Sequence, residues 1–556
     1  MATTASDPIA VEVVRHSLIG VAEEMGSIMK RAAFSPMIKE RNDRSCAIFT
    51  PDLELVAQAE HLPIHLALLL STVPAAVEAL PDGLGPGDVS IHNDPYVAGS
   101  HLPDFTTVMP IFEGDRLLGY SAVIAHMTDV GGSAGGGIAG VAREIFEEGF
   151  RVPPVRLYKA GKLDAEVLNL LAANVRIPDN MRGDILAQAA ANHAGERGVR
   201  RVAAKYGAER LLGYMHDIID YTERRTRAEI EKLPDGVFEF EDFVDDDGNS
   251  DEPIRIRAAV TIDGAELTVD FTGSAEQRQG PVNMALAVLK SAVFFVVRCL
   301  IDPTIRTNSG CFRSINVIAP EGTVVNAQFP APVAGGSLET AQRAVDTLLG
   351  ALSNAVPEAV TAAGMGGHNS LSFSGQWEKT RRQFVMGENV SGGWGARAHS
   401  DGLDATRAYL FNTPNNPVEV LERESPLLVE RVELRQDSGG AGKHRGGLAL
   451  VKEYRAMGRV RVSILSDRRR FAPWGLFGAG KGATSQHFLV RDGERTLLPS
   501  KTAVHLEPGD RLIAMTAGGG GYGDPADRDP RLVEEDVATG RVSARAAGVD
   551  QSGTRS

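Results

Sequence analysis

Three side chains in one region carry the ligand chemistry of a metal site. His101 and Asp104 lie in "NDPYVAGSHLPDF", residues 93 to 105, and His126 ends "SAVIAH" twenty-five residues later. Imidazole with carboxylate suits Zn, Mn or Fe, and a catalytic ion takes about three protein ligands and one open position. "HLPD" is a Pro-containing loop, so helical spacing does not constrain its two side chains. A loop and a strand end that meet can present a three-ligand face. Asp43, Asp94 and Asp129 are further carboxylates nearby in sequence. The same residues can equally be turn formers, since Asp beside Pro caps turns and H-x-x-D recurs by chance.

Other segments imitate known sites less well. His61 and His65 in "HLPIH" have the i, i+4 spacing of a helical metal pair, but Pro63 intervenes and no Glu follows the first His. "GLFGAGKG", 475 to 482, has Gly482 where a phosphate-binding loop needs Ser or Thr, and follows "RRRFAPW" rather than a buried strand. No nucleotide site is expected there, and "TAGGGGYGDP" lacks a following helix. "DDDGNSDEP", 245 to 253, alternates carboxylates like a calcium loop, but its Gly248 is misplaced and Ile256 stands where a bidentate Glu belongs, so it reads as a hairpin turn. Covalent catalysis finds no nucleophile elbow and no His-paired cysteine.

The surrounding pattern says what must position these groups. Val11, Val14, Leu18, Val21, Met25 and Met29 predict a helix over 8 to 33, capped by Asp7 before Pro8. A hairpin is expected over "ERNDRSCAIFTPDLELVAQ", a second helix over "LALLLSTVPAAVEAL", and several strands through "GYSAVIAH". Gly131 and Gly132 open a glycine-rich loop, 131 to 140, able to offer backbone N–H groups to a phosphate or oxyanion. Residues 164 to 233 read as mostly helical. "PDG" at 234 to 236 starts a β-meander, the apolar run 284 to 301 is a buried helix, and 337 to 363 is helical. The fold class is mixed α/β and multidomain: an N-terminal metal-binding part (1–233), a β-meander plus buried helix (234–336), a β- and glycine-rich C-terminal part (337–525) and a loosely held polar tail (526–556).

The chain has 556 residues with net charge -14, which argues against nucleic-acid and anionic-membrane partners. "MATTASDPIA" lacks a signal-peptide pattern, and three unpaired cysteines point to a reduced cytoplasmic compartment.

"ERNDRSCAIF", "QAEHLPIHL", "GDVSIHNDPYVAGSHLPDFTTVMPIF", "AHMTDVGG", "IPDNMRGDILAQ", "NSGCFR", "APVAGGSLET", "LRQDSGGAGKHRGGLAL" and "GGGGYGDP" occur in order over about residues 10 to 525. In these the chain resembles the hydantoinase B/oxoprolinase family. The resemblance implies a metal-dependent subunit that opens a cyclic amide: a hydantoin, 5-oxoproline or a lactam. It implies metal ligands at His101, Asp104 and His126, with Asp43 as a fourth ligand or general base, and leaves His65 a supporting or substrate-facing role. It also implies a hydantoinase A-type ATPase partner that uses ATP and Mg to phosphorylate the substrate, in a hetero-oligomer such as (AB)2. The related branch joins a phosphorylated enol to carbon dioxide as a ketone carboxylase. A scaffold subunit without chemistry is the third alternative.

Overall fold

The structure, a computed structural model, describes residues 7–59, 61–407 and 409–548. The first six residues, which bear on a signal peptide, and the last eight lie outside it. Helix α1 (Pro8–Ala32) starts where expected: Asp7 accepts from the Ile9 amide at 3.0 Å, and Val14, Leu18, Val21, Met25 and Met29 form its buried stripe. A short turn α2 (Pro36–Lys39) leads into the first sheet.

That sheet has seven strands: β1 (Arg44–Phe49), β2 (Leu55–Ala59), β3 (Val89–His92), β4 (Asp104–Glu113), β5 (Arg116–His126), β6 (Val155–Lys159) and β7 (Lys162–Leu163). Their order is β2-β1-β5-β4-β3-β6-β7. β1 is buried at every position, as is nearly all of β4 and β5. Both faces are therefore covered, which is why these strands read as apolar runs rather than alternations. α3 (His65–Glu78), the turn α4 (Ile145–Glu148), α5 (Ala165–Ala173), α6 (Pro178–Tyr206) and α7 (Ala208–Ile230) follow. α6 packs on α1 and on β4 and β5. The approach needs small residues: a Cβ on Gly195 would sit 2.6 Å from Met25 Sδ, and one on Gly198 2.6 Å from Val21.

The meander is β8 (Gly236–Val244), β9 (Ile254–Asp263) and β10 (Glu266–Asp270), with β11 (Ile315–Ile318) parallel at its edge. Burial alternates along β9, so one face is wet. α8 (Leu286–Leu300), the expected apolar helix, and α9 (Ala341–Leu352) cover the other face. The helical stretch expected over 337 to 363 is shorter. A π-turn over Gly336–Thr340 feeds α9, and Ser353 caps it by donating to Gly350 O, so the helix ends before Pro357, whose ring cannot continue it. The 245–253 turn does more than reverse the chain: Asp245 accepts from the Arg469, Arg470 and Phe471 amides and so docks the C-terminal part. Beside it, buried Arg343 pairs with Asp467 at 2.6 Å and Asp346 at 3.2 Å, and Arg468 with Asp242 at 3.3 Å.

The C-terminal part contains β12 (Ser370–Gln376), β13 (Gln383–Asn389), the helix α10 (Val418–Glu424), β14 (Leu427–Arg435), β15 (Ala449–Ala456), β16 (Val460–Leu465), β17 (Gln486–Arg491), β18 (Glu494–Leu497), β19 (Lys501–Leu506) and β20 (Arg511–Met515). They form sheets β13-β12-β16-β19 and β14-β15-β20-β17-β18. Between them the glycine-rich segments pack backbone on backbone. Gly447 N donates to Trp394 O (2.8 Å), Gly519 N to Gly447 O (2.9 Å) and Gly440 N to Gly519 O (2.8 Å). "GLFGAGKG" and "GGGGYGDP" are both in this stack, where Gly521 N donates to Gly480 O. The tail departs from expectation. α11 (Pro530–Ala538) is docked, because Arg528 pairs with both Asp401 and Asp536 at 2.7 Å. The largest apolar core runs from Ala47 in β1 through α3, α8 and α9 to Leu476, so it joins all three main parts of the chain.

Candidate metal centre

β4 and β5 place two of the candidate ligands by register. Asp104 opens β4, His126 closes β5, and the two are direct cross-strand partners. On the neighbouring strand, the Asp43 carbonyl just ahead of β1 accepts from the His126 amide at 3.2 Å. His101 is carried by the loop before β4, where Asp104 N donates to His101 O (3.0 Å) and Met127 N to Pro103 O (2.8 Å). Buried Asn93 holds this loop: Nδ2 donates to Leu102 O (2.7 Å) and Phe150 O (3.1 Å), while Oδ1 accepts from Val152 N (2.7 Å). Asp94 is a turn former, accepting from Tyr96 N at 3.0 Å.

The side chains converge. His101 Nε2 is 3.2 Å from His126 Nδ1 and 3.2 Å from Asp104 Oδ2, and His126 Nδ1 is 3.2 Å from Asp104 Oδ1. Ser100 donates its hydroxyl to Asp104 Oδ2. His65, at the first turn of α3, is fully buried; its Nδ1 meets Ser45 Oγ at 2.9 Å and its Nε2 has no partner. Asp43, His65 and Asp104 make a second group whose ligand atoms lie within 4.8 Å of one another, as do those of His101, Asp104 and His126. Asp104 belongs to both. Burial opposes charge on His101, but Asp104 beside it lifts its pKa above the ordinary imidazole value. Burial works against the Asp104 carboxylate, yet the two imidazoles hold it well below its usual range. Burial pushes His65 down.

This donor set fits a divalent ion. Ligands about 2.1 Å from a metal in tetrahedral or octahedral array stand about 3.0–3.4 Å apart; the two imidazole nitrogens are 3.2 Å apart, and each is 3.2 Å from a different oxygen of Asp104. Two imidazoles and a carboxylate suit Zn, Mn or Fe.

These groups form one wall of a pocket. The other wall brings Arg41, Thr128, Ser337, His368, Asn389 and Phe411. Of the histidine pair only His65 faces this pocket; His61 lies against Gly26 of α1, where burial takes it down to about 4. Gly131 and Gly132 are placed away from the wall. Their carbonyls accept from Arg176 at 3.0 and 2.7 Å, and Gly136 with Ile138 supplies this loop's share of the lining. The Gly136 N–H is already taken by Asp129. His368, Asn389 and Ser337 carry no ligand spacing that would mark them in the sequence. Arg41 does have a signal: it stands inside "ERNDRS", two residues before Asp43.

The structure superimposes on the ATP-dependent caprolactamase of Pseudomonas jessenii with a TM-score of 0.93, at 29% identity over 99% of this chain and 98% of that one. An acetone carboxylase shares the fold, with a TM-score of 0.89 at 20% identity over 98% of this chain and 79% of that one. A putative D-/L-hydantoinase component of the B type, from Pseudomonas sp., is 34% identical over 98% of this chain and 94% of its own length. 5-Oxoprolinase 1 of Arabidopsis thaliana is 32% identical over 94% of this chain, which spans 42% of the plant protein. The hydantoinase B/oxoprolinase model matches residues 7–525, and the chain belongs to that family. No helix among the described residues is long and apolar enough to cross a membrane.

Proposed function

We propose that this chain is the metal-dependent hydrolytic subunit of a cytoplasmic, ATP-dependent cyclic amide hydrolase acting on a hydantoin, 5-oxoproline or a lactam. The observation that carries the reading is the convergence of His101, Asp104 and His126 at 3.2 Å separations inside a buried pocket. The likeness to a caprolactamase and to a hydantoinase component supports the substrate class. His101, Asp104 and His126 hold the ion and Asp43 completes the shell, with His65 beside it. A bound divalent ion lowers the pKa of water from 15.7 to about 7 and polarises a carbonyl. The residues themselves exclude bulk water, fix the ligand geometry through Asn93 and the β4–β5 register, and orient the amide against the metal wall. An unstrained amide resists attack through its resonance, so phosphorylation of the carbonyl oxygen is assigned to an A-type ATPase partner that binds ATP and Mg, in a hetero-oligomer such as (AB)2.

The test is to co-purify the chain with its ATPase partner and assay hydantoins, 5-oxoproline and lactams with and without bicarbonate. Ring opening independent of bicarbonate, with stoichiometric metal on this chain, is expected. Bicarbonate-dependent turnover of a ketone would establish the carboxylase alternative. ATP hydrolysis by this chain alone would overturn the division of labour.

A further inference from the structure

His368 sits in the loop before β12 and lines the same pocket, across from the metal wall. Three contacts hold the residue, two of them through its ring. Its backbone N–H donates to Glu339 Oε1 at 3.0 Å. Its ring and that of Phe411 meet edge to face, with centroids 3.7 Å apart and planes at 86°. Its Nδ1 is 2.9 Å from the Asn389 side-chain amide.

The amide has one orientation that satisfies both of its ends. Asn389 Nδ2 then donates to Ser370 Oγ and Glu388 O, each at 3.1 Å, and Oδ1 accepts from Arg407 Nη1 at 3.1 Å, from Arg41 Nη2 and from His368 Nδ1. The reverse orientation would point an NH2 group at two guanidinium donors, which have no lone pair to offer. Oδ1 therefore faces the ring at 2.9 Å, while Arg407 Nη1, a donor only, stands farther from Nδ1 at 3.5 Å and is engaged by Oδ1 at 3.1 Å; the nearer acceptor assigns the proton to His368 Nδ1. A neutral imidazole protonated at Nδ1 has a bare lone pair at Nε2. That Nε2 is buried and has no partner. Burial, and then the two cationic neighbours Arg407 and Arg41, hold the ring well below the ordinary imidazole range, so it stays neutral. His368 belongs to neither of the groups whose ligand atoms converge for a metal.

We infer that His368 Nε2 is a fixed hydrogen-bond acceptor that selects ligands presenting an N–H to the pocket: cyclic amides with an unsubstituted ring nitrogen. Arg41, Arg407 and Asn389 are its positioning residues. A group kept neutral and locked in one tautomer cannot switch to donating, so it discriminates by what the ligand carries. A buried acceptor left unpaired by an N-alkyl ligand is costly, and sites built this way reject the analogue that lacks the donor. This inference rests on the cyclic-amide reading for its choice of ligand class, but its test does not need turnover.

The probes are 2-pyrrolidone and N-methyl-2-pyrrolidone, titrated against the metal-loaded chain with its partner by ligand-observed NMR. The wild type should bind 2-pyrrolidone about tenfold or more tightly than the N-methyl compound. His368→Leu should bring the ratio close to one with metal content unchanged. Asn389→Asp keeps an acceptor on Nδ1 and should preserve the ratio, whereas Asn389→Leu should reduce it. Nitrogen-15 spectra of histidine-labelled chain should show His368 protonated at Nδ1. An Nε2–H tautomer, equal binding of the two probes, no binding of 2-pyrrolidone at millimolar concentration, or a ratio unmoved in His368→Leu would each overturn the inference. A preserved ratio in a complex that opens no ring would instead sink the hydrolase reading alone.

Discussion

Asp104 and His126 are register partners across β4 and β5, and Asp104 Oδ1 lies 3.2 Å from His126 Nδ1. A backbone ladder thus sets the bite between a carboxylate and an imidazole, and the third candidate ligand, His101, is brought by the loop that leads into β4. Because Asp104 is shared by both convergent groups, its loss should be felt more widely than that of any single histidine. Asp104→Ala should leave the purified chain with far less than one metal per molecule, and His101→Ala should weaken metal binding by at least about a hundredfold. His65→Ala should cost about ten- to a hundredfold, as for a supporting group. Metal analysis after dialysis checks all three. Stoichiometric metal in Asp104→Ala would remove the site from this position.

Asn93 makes three hydrogen bonds to the backbone around the His101 loop. Asn93→Ala strands buried Leu102 O and Val152 N, each unmet group costing about 1–3 kcal/mol, and the half-buried Phe150 O. Both stability and metal affinity should fall. Denaturant unfolding reads the first and competition with a chelator the second. A stability loss with unaltered metal affinity would mean that the loop holds its shape without this anchor.

How much of this is legible in the sequence differs from one residue to the next. His101, Asp104 and His126 belong to one hairpin and its entry loop, so short spacing in the sequence becomes short distance in space. His368 arrives from the third sheet's leading loop after "MGG", and only long-range packing brings it to the pocket. The glycine-rich runs are visible as composition, and composition does say that backbone comes close to something. It does not say to what: at Gly393, a Cβ would stand 1.9 Å from Gly447 O, another peptide and not a ligand. The buried antiparallel strands are readable as strands because β-branched and aromatic residues fill them. The end of α9 falls earlier than apolar periodicity suggests, because that periodicity continues past Pro357. The tail is docked against expectation because the Arg528–Asp401 and Arg445–Asp536 pairs that hold it join charges far apart in the chain.

Glu339 gives a pH prediction independent of the metal. It is fully buried, its Oε1 accepts the His368 amide and its Oε2 has no partner. Burial, reinforced by Asp467, pushes its carboxyl up from 4.5 to about 8. A carboxyl whose folded pKa is raised contributes its stability fully below the unfolded value and loses it as pH climbs through the folded one. Between about pH 4.5 and 8 this group therefore makes the fold progressively less stable. Glu339→Gln keeps the neutral shape and removes the titration, so the melting temperature of the variant should fall less steeply over that window than that of the wild type. Parallel curves would show that Glu339 is ionised in the fold.

The glycine stack makes the sharpest contrast. A Cβ on Gly447 would sit 2.0 Å from Leu403 O, and one on Gly519 2.0 Å from Trp394 O, both rigid backbone atoms. The hydrogen bonds Gly447 N to Trp394 O and Gly519 N to Gly447 O leave neither segment of the stack free to retreat. Gly447→Ala and Gly519→Ala should each destabilise by about 3 kcal/mol or more, the range reserved for overpacking and broken buried networks. Gly20, exposed on α1, meets nothing within 4 Å. There the same substitution removes a flexible residue from a helix and should stabilise by about 0.5–1 kcal/mol. Chemical denaturation of the three variants reads the sign directly. If Gly447→Ala and Gly20→Ala moved stability in the same direction, backbone crowding would not be what the glycines of the C-terminal part are for.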